Sequence, residues 1–278
     1  MRKEWAAPTT RVDRFMRVVL PGARERRMGA MLRNVCGASL REAGPEIPSR
    51  PSPCPRRGPP SDEGLAPVYG RCMPPLVFLP GAGGSASFWR PVAERLADLG
   101  RPLVLGYPGF GECPVEPTIQ SLDDLFRWLV EQLPAEPSDV AAQSMGGVLA
   151  VRLALERPEL VSRLVLVATS GGVDVARLGG AEWRRDFLES RPGAPSWFVD
   201  DRTDVTDALG KIRARTLLLW SDADPISPLS VAHFLAERIP DSRIVTIVGG
   251  THAFAGERPD EVAPIIRAHL AQEREPRS

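Results

Sequence analysis

A serine hydroxyl is a weak nucleophile at neutral pH, so chemistry at serine needs the side chain held clear of the backbone, beside a base and next to amide donors. Positions 138–148 read Ser-Asp-Val-Ala-Ala-Gln-Ser-Met-Gly-Gly-Val, which places Ser144 on a sharp turn between an apolar strand and a helix of small residues. Such a turn forces strained angles on the serine and leaves no room for side chains two residues to either side. Ala142 and Gly146 stand at those positions. Ala142 departs by one methyl group from the glycine of the G-x-S-x-G pattern, so a slightly tighter elbow is expected. By itself a small-x-Ser-x-Gly string also opens tightly packed helices that do no chemistry.

The base is sought among three histidines, His233, His252 and His269. His233 and His269 fall inside expected helices, where each faces solvent or packs on a neighbour. His252 follows Gly249-Gly250-Thr251 at a strand end, where a base that can accept and return a proton near neutral pH is needed. A carboxylate that orients such a histidine is offered by Ser221-Asp222-Ala223-Asp224-Pro225, with Asp224 preferred to Asp222. Aspartate before proline also serves as a simple turn or helix cap. Pro80-Gly81-Ala82-Gly83-Gly84-Ser85 completes neither G-x-G-x-x-G nor a Walker loop. It is read as presenting the Ala82 amide to an oxyanion, or else as a tight turn before a helix. Met145, at the start of the helix after Ser144, supplies the second such amide.

These residues need a frame that brings distant loops to one edge. From Met73 onward, short apolar runs alternate with longer amphipathic stretches. Strands are expected at Leu76–Leu79, Pro102–Tyr107, Asp139–Gln143, Leu164–Ala168, Thr216–Trp220 and Arg243–Val248. Helices are expected near Trp89–Leu99, Ser121–Leu133, Met145–Glu156, Pro228–Ile239 and Asp260–Gln272. Strands that are apolar throughout must be covered on both faces, and helix-length connections imply parallel neighbours. The fold class is therefore α/β, a mostly parallel open sheet of about six strands flanked by helices. Ligands of such sheets lie beyond the carboxyl ends of the strands, where Ser144, Asp224 and His252 all stand. Gly106-Tyr107-Pro108-Gly109-Phe110-Gly111 is expected to pack as a rigid turn beside the first glycine loop, with Phe110 a candidate pocket residue. Residues 171–210 contain Trp183, Phe187, Trp197 and Phe198 without a clear strand, and are read as an insertion over the sheet.

The chain of 278 residues balances 35 basic against 35 acidic side chains, so its global charge argues for neither nucleic acid nor an anionic surface. Residues 1–72 differ, with thirteen arginines and Lys3 against seven acids and a proline-rich stretch from Pro45 to Pro60. They are read as a disordered or loosely attached extension. A basic arm, a transit peptide and translation from upstream of a functional start at Met73 compete, with the last preferred. No apolar run reaches about 18 residues, so a cytoplasmic location is expected, with a small-molecule substrate and neither nucleic acid nor membrane as partner. The four cysteines form no C-x-x-C pair. Neither a metal, a cofactor nor a disulfide framework is expected.

Together these residues resemble the α/β-hydrolase superfamily over Met73 to about Ala271. The carriers are Pro80-Gly81-Ala82-Gly83-Gly84, Gly109-Phe110-Gly111, Ala142-Gln143-Ser144-Met145-Gly146-Gly147, Asp222-Ala223-Asp224-Pro225 and Gly250-Thr251-His252. The resemblance implies Ser144 as nucleophile, Asp224 as orienting carboxylate, His252 as acid/base, and Ala82 and Met145 as oxyanion donors. It makes 171–210 a small helical cap, whose Trp183, Trp197 and Phe198 either line an apolar pocket or pack the cap onto the sheet. Pro80 stands where the family usually has histidine. The family's first two strands have no convincing counterpart before Met73, which leaves six strands or a poorly formed edge drawn from residues 11–72. Ser144 argues against dehalogenases and epoxide hydrolases, which use aspartate. The expected activity is hydrolysis of a small, fairly apolar ester or thioester, with a carbon-carbon bond hydrolase or lyase, or a silent binding protein, as alternatives.

Overall fold

The computed structural model describes residues 33–35 and 73–271, and the extension expected over 1–72 otherwise lies outside the described residues. Seven parallel strands form one sheet: β1 (Arg33–Val35), β2 (Pro75–Leu79), β3 (Arg101–Leu105), β4 (Ser138–Gln143), β5 (Val161–Val167), β6 (Arg215–Ser221) and β7 (Ser242–Ile247). Their order is β1-β3-β2-β4-β5-β6-β7. The three-residue β1 pairs with β3, Arg33 opposite Leu103, and is the short edge drawn from the first 72 residues. The other six strands match the expected ones to within a few residues at each end.

Alternation along the strands supplies two cores. Val77, Leu79, Val140, Leu164, Leu166, Leu218 and Trp220 face one side, and Leu76, Phe78, Ala141, Val165, Val167, Leu217 and Leu219 the other. Every one of them is at most 2% exposed, which explains why the strands read as continuous apolar runs. Each of these valine, leucine and phenylalanine side chains contributes about 2 kcal/mol through burial.

Helices α1 (Arg90–Arg95), α2 (Leu122–Gln132), α3 (Met145–Glu156), α4 (Arg184–Ser190), α5 (Trp197–Asp200), α6 (Leu229–Ala236), α7 (Phe254–Glu257) and α8 (Pro259–Leu270) cover both faces. Ser121 starts α2 by accepting the Asp124 amide at 3.1 Å, and Asp123 and Asp124 in its first turn suit the helix dipole. The α1 and α8 helices share a face of the sheet. Arg267 reaches both Asp98 oxygens at 2.6 and 2.7 Å, and Arg95 reaches Asp260 at 2.7 Å. The Arg267 guanidinium holds the Asp98 carboxyl below the usual carboxylate range.

Residues 171–210 connect β5 to β6 through α4, α5 and short 3-10 turns at Ala176–Leu178 and Thr206–Lys211, with no strand. This is the insertion without a clear strand that its aromatic and proline content suggested, and it is helical. Cys113 is disulfide-bonded, a cross-link that the cysteine spacing did not predict. No described helix is long and apolar enough to cross a membrane.

Candidate active site

Ser144 sits between β4 and α3 with φ 51° and ψ −119°. It is one of two non-glycine residues with positive φ among the described ones, the other being Ala168 at the end of β5. The strain holds because neighbours fill the space on both sides of the turn. A Cβ at Gly146 would stand 2.5 Å from the Pro80 carbonyl oxygen and 2.6 Å from that of Leu79, so only glycine fits. On the other side the Ala142 methyl is fully buried in the core, opposite Leu79, and the elbow keeps its form. The Ser144 amide donates to the Val167 carbonyl at 3.1 Å, which joins the turn to β5.

His252 lies between β7 and α7. Its Nε2 is 3.0 Å from Ser144 Oγ, and its Nδ1 is 2.7 Å from Asp224 Oδ2. A carboxylate that accepts at Nδ1 assigns that proton to Nδ1, which leaves Nε2 free to accept from the serine hydroxyl. Asp224 is 3% exposed, and its Oδ1 accepts the Ile226 and Ser227 amides at 2.9 and 3.3 Å. Asp222 has a different task. Its Oδ1 accepts the Gly249 amide at 2.7 Å, bracing the loop that carries His252.

The glycine loop after β2 lies against the elbow. Gly84, at φ 67°, packs so closely on the turn after β3 that a Cβ there would fall 2.0 Å from Phe110 Cβ. The Tyr107 amide donates to the Gly84 carbonyl at 3.2 Å, so the two loops interlock as the sequence suggested. Ala82 and Met145 both border a cavity of about 990 Å3, together with Ser144 and His252. The start of α3 lies at this cavity, where the helix dipole favours negative charge.

The cap supplies the far wall of that cavity. Trp183 and Phe198 line it, as do Phe187, Phe88 and Val148. Phe110 and Trp197, expected as pocket residues, do not line it, and their place is a correction. Phe110 is 1% exposed and meets Trp197 and Phe198 edge-on at 5.7 and 6.1 Å. Both rings back the wall because the interlocked loops drive Phe110 inward. The structure thus brings together Ser144, Asp224, His252, Ala82, Met145, Trp183 and Phe198.

Three polar residues around the site went unread in the sequence. Gln143 Nε2 donates to the His252 carbonyl at 3.1 Å, Thr169 Oγ1 donates to the Ser144 carbonyl at 2.5 Å, and Ser227 Oγ donates to the Thr169 carbonyl at 2.9 Å. Thr169 stands just beyond the apolar run of β5, so inspecting that strand end as closely as the others would have found it. Among the described residues no group of three or more histidine, cysteine or acidic side chains is disposed to hold a metal ion.

Comparison with known proteins gives a consistent picture. A family model described as the alpha/beta hydrolase fold matches residues 74–206. "Putative carbamate hydrolase RutD" of Agrobacterium fabrum is 32% identical over 241 residues, covering 69% of this chain and 92% of that protein. A pimeloyl-[acyl-carrier protein] methyl ester esterase of Nitrosomonas europaea is 26% identical over 231 residues, covering 65% and 89%. In fold, the chain matches a hydrolase from Pseudomonas aeruginosa with a TM-score of 0.61 at 23% identity, covering 72% of this chain and 90% of that one.

Proposed function

Because the chain belongs to the α/β-hydrolase family, we propose that it is a serine hydrolase that cleaves a small, fairly apolar carboxylic ester or thioester through an acyl-enzyme. Ser144 Oγ attacks the carbonyl carbon while its proton passes to His252 Nε2, and the buried Asp224 carboxylate stabilises the imidazolium that forms. The carbonyl oxygen becomes an oxyanion facing the Ala82 and Met145 amides. The intermediate collapses as His252 gives its proton to the leaving oxygen or sulfur, which departs as alcohol or thiol. Water then enters, loses a proton to His252 and attacks the acyl carbon, and the acid is released with Ser144 restored.

The observation that carries this reading is the unbroken hydrogen-bonded series Ser144–His252–Asp224 at the floor of a cavity. Supporting it, the relatives described above are named a "Putative carbamate hydrolase" and a methyl ester esterase. The acyl group is assigned to the aromatic side, against Trp183 and Phe198, because the leaving group must lie within reach of His252 Nε2. The test is turnover of p-nitrophenyl esters and matched thioesters across acyl lengths, with fluorophosphonate labelling. Wild-type protein is expected to take the label and to favour a limited range of apolar acyl chains. Ser144→Ala should lose both label and turnover at unchanged stability. Full activity in Ser144→Ala refutes the assignment, and flat, low turnover on every ester in a labelling protein moves the function to carbon-carbon cleavage.

A further inference from the structure

The peptide between Ser144 and Met145 is held by a side chain that takes no direct part in the chemistry above. Thr169 follows β5 and is 1% exposed. Its hydroxyl donates to the Ser144 carbonyl oxygen at 2.5 Å and accepts the Gly171 amide at 3.0 Å. The Gly147 amide donates to the same carbonyl at 2.9 Å. Gly147 is pressed against this threonine, since a Cβ there would fall 2.4 Å from Thr169 Oγ1. A trans peptide points its N–H opposite to its C=O, and no described peptide bond is cis. Holding the Ser144 oxygen against Thr169 therefore turns the Met145 N–H the other way, on the side of the cavity that Met145 borders. The hydroxyl also polarises the peptide, which strengthens the amide as a donor.

Thr169 reaches the acid side of the site as well. Its carbonyl accepts from Ser227 Oγ at 2.9 Å, and the Ser227 amide donates to Asp224 Oδ1 at 3.3 Å. Asp224 Oδ2 meets His252 Nδ1, and His252 Nε2 meets Ser144 Oγ. The hydrogen bonds close a ring that leaves Ser144 by its carbonyl and returns by its hydroxyl. Ser227 is 2% exposed, and Trp220 Nε1 pins it through its carbonyl at 2.9 Å and its hydroxyl at 3.2 Å.

We infer that Thr169 is a positioning residue for the Met145 oxyanion donor and that Ser227 ties it to Asp224, so that donor and acid/base pair keep one common geometry. The inference rests on the serine-hydrolase reading. It is tested with Thr169→Val, which keeps the shape and removes the donor, Thr169→Ser, which keeps the donor, and Ser227→Ala, which cuts the link between Thr169 and the Asp224 turn and leaves Trp220 Nε1 its bond to the residue 227 carbonyl. The readouts are hydrolysis of p-nitrophenyl butyrate, inhibition by phenylboronic acid, the pH profile of kcat/KM and Tm. Phenylboronic acid forms a tetrahedral anion on a nucleophilic serine, so its affinity reports oxyanion binding.

Thr169→Val is expected to lower kcat roughly tenfold to a hundredfold with KM little changed. Phenylboronic acid affinity should fall in proportion, and the pH midpoint of kcat/KM should stay in place. Thr169→Ser restores most of both. Ser227→Ala lowers kcat and boronate affinity together by a few fold. Near-wild-type kcat in Thr169→Val, or a fall in kcat at unchanged boronate affinity, overturns the role of Thr169. Should Thr169→Val fail to fold, Ser227→Ala decides, and no change in either of its readouts overturns the tie. A wild-type protein that neither hydrolyses the ester nor takes a fluorophosphonate overturns the serine-hydrolase reading itself, whereas an active wild type with indifferent variants overturns this inference alone.

Discussion

His269 gives the most direct quantitative test of how this chain is built. It lies in the last turn of α8 and is fully buried. Neither ring nitrogen has a described partner of good hydrogen-bond geometry. Its pKa is lowered from 6.5 to about 4, chiefly by burial and then by the positive charges of Arg243 and Arg163, while the peptide groups of Arg215 and Leu164 oppose the shift. The arginines are not themselves bare, since Arg163 meets Asp139 at 3.4 Å, likewise buried. A base whose pKa is lowered on folding binds its proton more tightly in the unfolded chain. Its contribution to stability is therefore intact above pH 6.5 and is lost as the pH falls from 6.5 toward 4. At about 1.4 kcal/mol for each factor of ten, the loss is about 3 kcal/mol once the pH is below 4. His269→Leu removes the titration and leaves no ring nitrogen to satisfy, so its stability near pH 7 should equal or exceed that of the wild type. Urea midpoints measured for both proteins between pH 7 and 4 isolate the histidine, because all other titrating groups cancel in the difference. The variant should gain on the wild type steadily as the pH falls below 6.5. A difference that stays constant across that range refutes the argument.

Gly146→Ala should destabilise the protein by about 2 kcal/mol and remove most activity, because its methyl group meets two backbone carbonyls that cannot move independently of β2; thermal unfolding with ester turnover checks both. Trp183→Ala should shift the preferred acyl length upward, since Trp183 lines the cavity. Trp197→Ala, behind the wall, should lower Tm by a few degrees and leave the ranking of esters unchanged. Equal shifts in ester ranking from the two variants would show that Trp197 also faces substrate.

The framework was legible because its signals are local. Buried parallel strands need apolar residues at successive positions, and the runs at 76–79, 140–142, 164–168 and 217–220 supplied them. Ser144, Asp224 and His252 could be read because each stands at the end of such a run. The inward turn of Phe110 could not be read, since it follows from the contact of two loops 26 residues apart, around Gly84 and Phe110. The roles of Gln143 and Ser227 were equally out of reach, because each bonds to a backbone carbonyl on another loop, and a carbonyl leaves no mark in the sequence; Thr169 was marked only by its place just beyond β5. His269 was expected inside a helix, but its burial depends on the packing of α8 over the sheet.

The order of the strands sets when this protein becomes competent. Ser144, Thr169, Asp224 and His252 follow β4, β5, β6 and β7 in turn, so each successive strand delivers one member, and the base arrives last. On the mechanism proposed above, a chain that has not docked β7 has no base to take the proton of Ser144. On that mechanism turnover is a clock for the docking of β7: hydrolysis cannot precede that event, however much of the sheet is already formed.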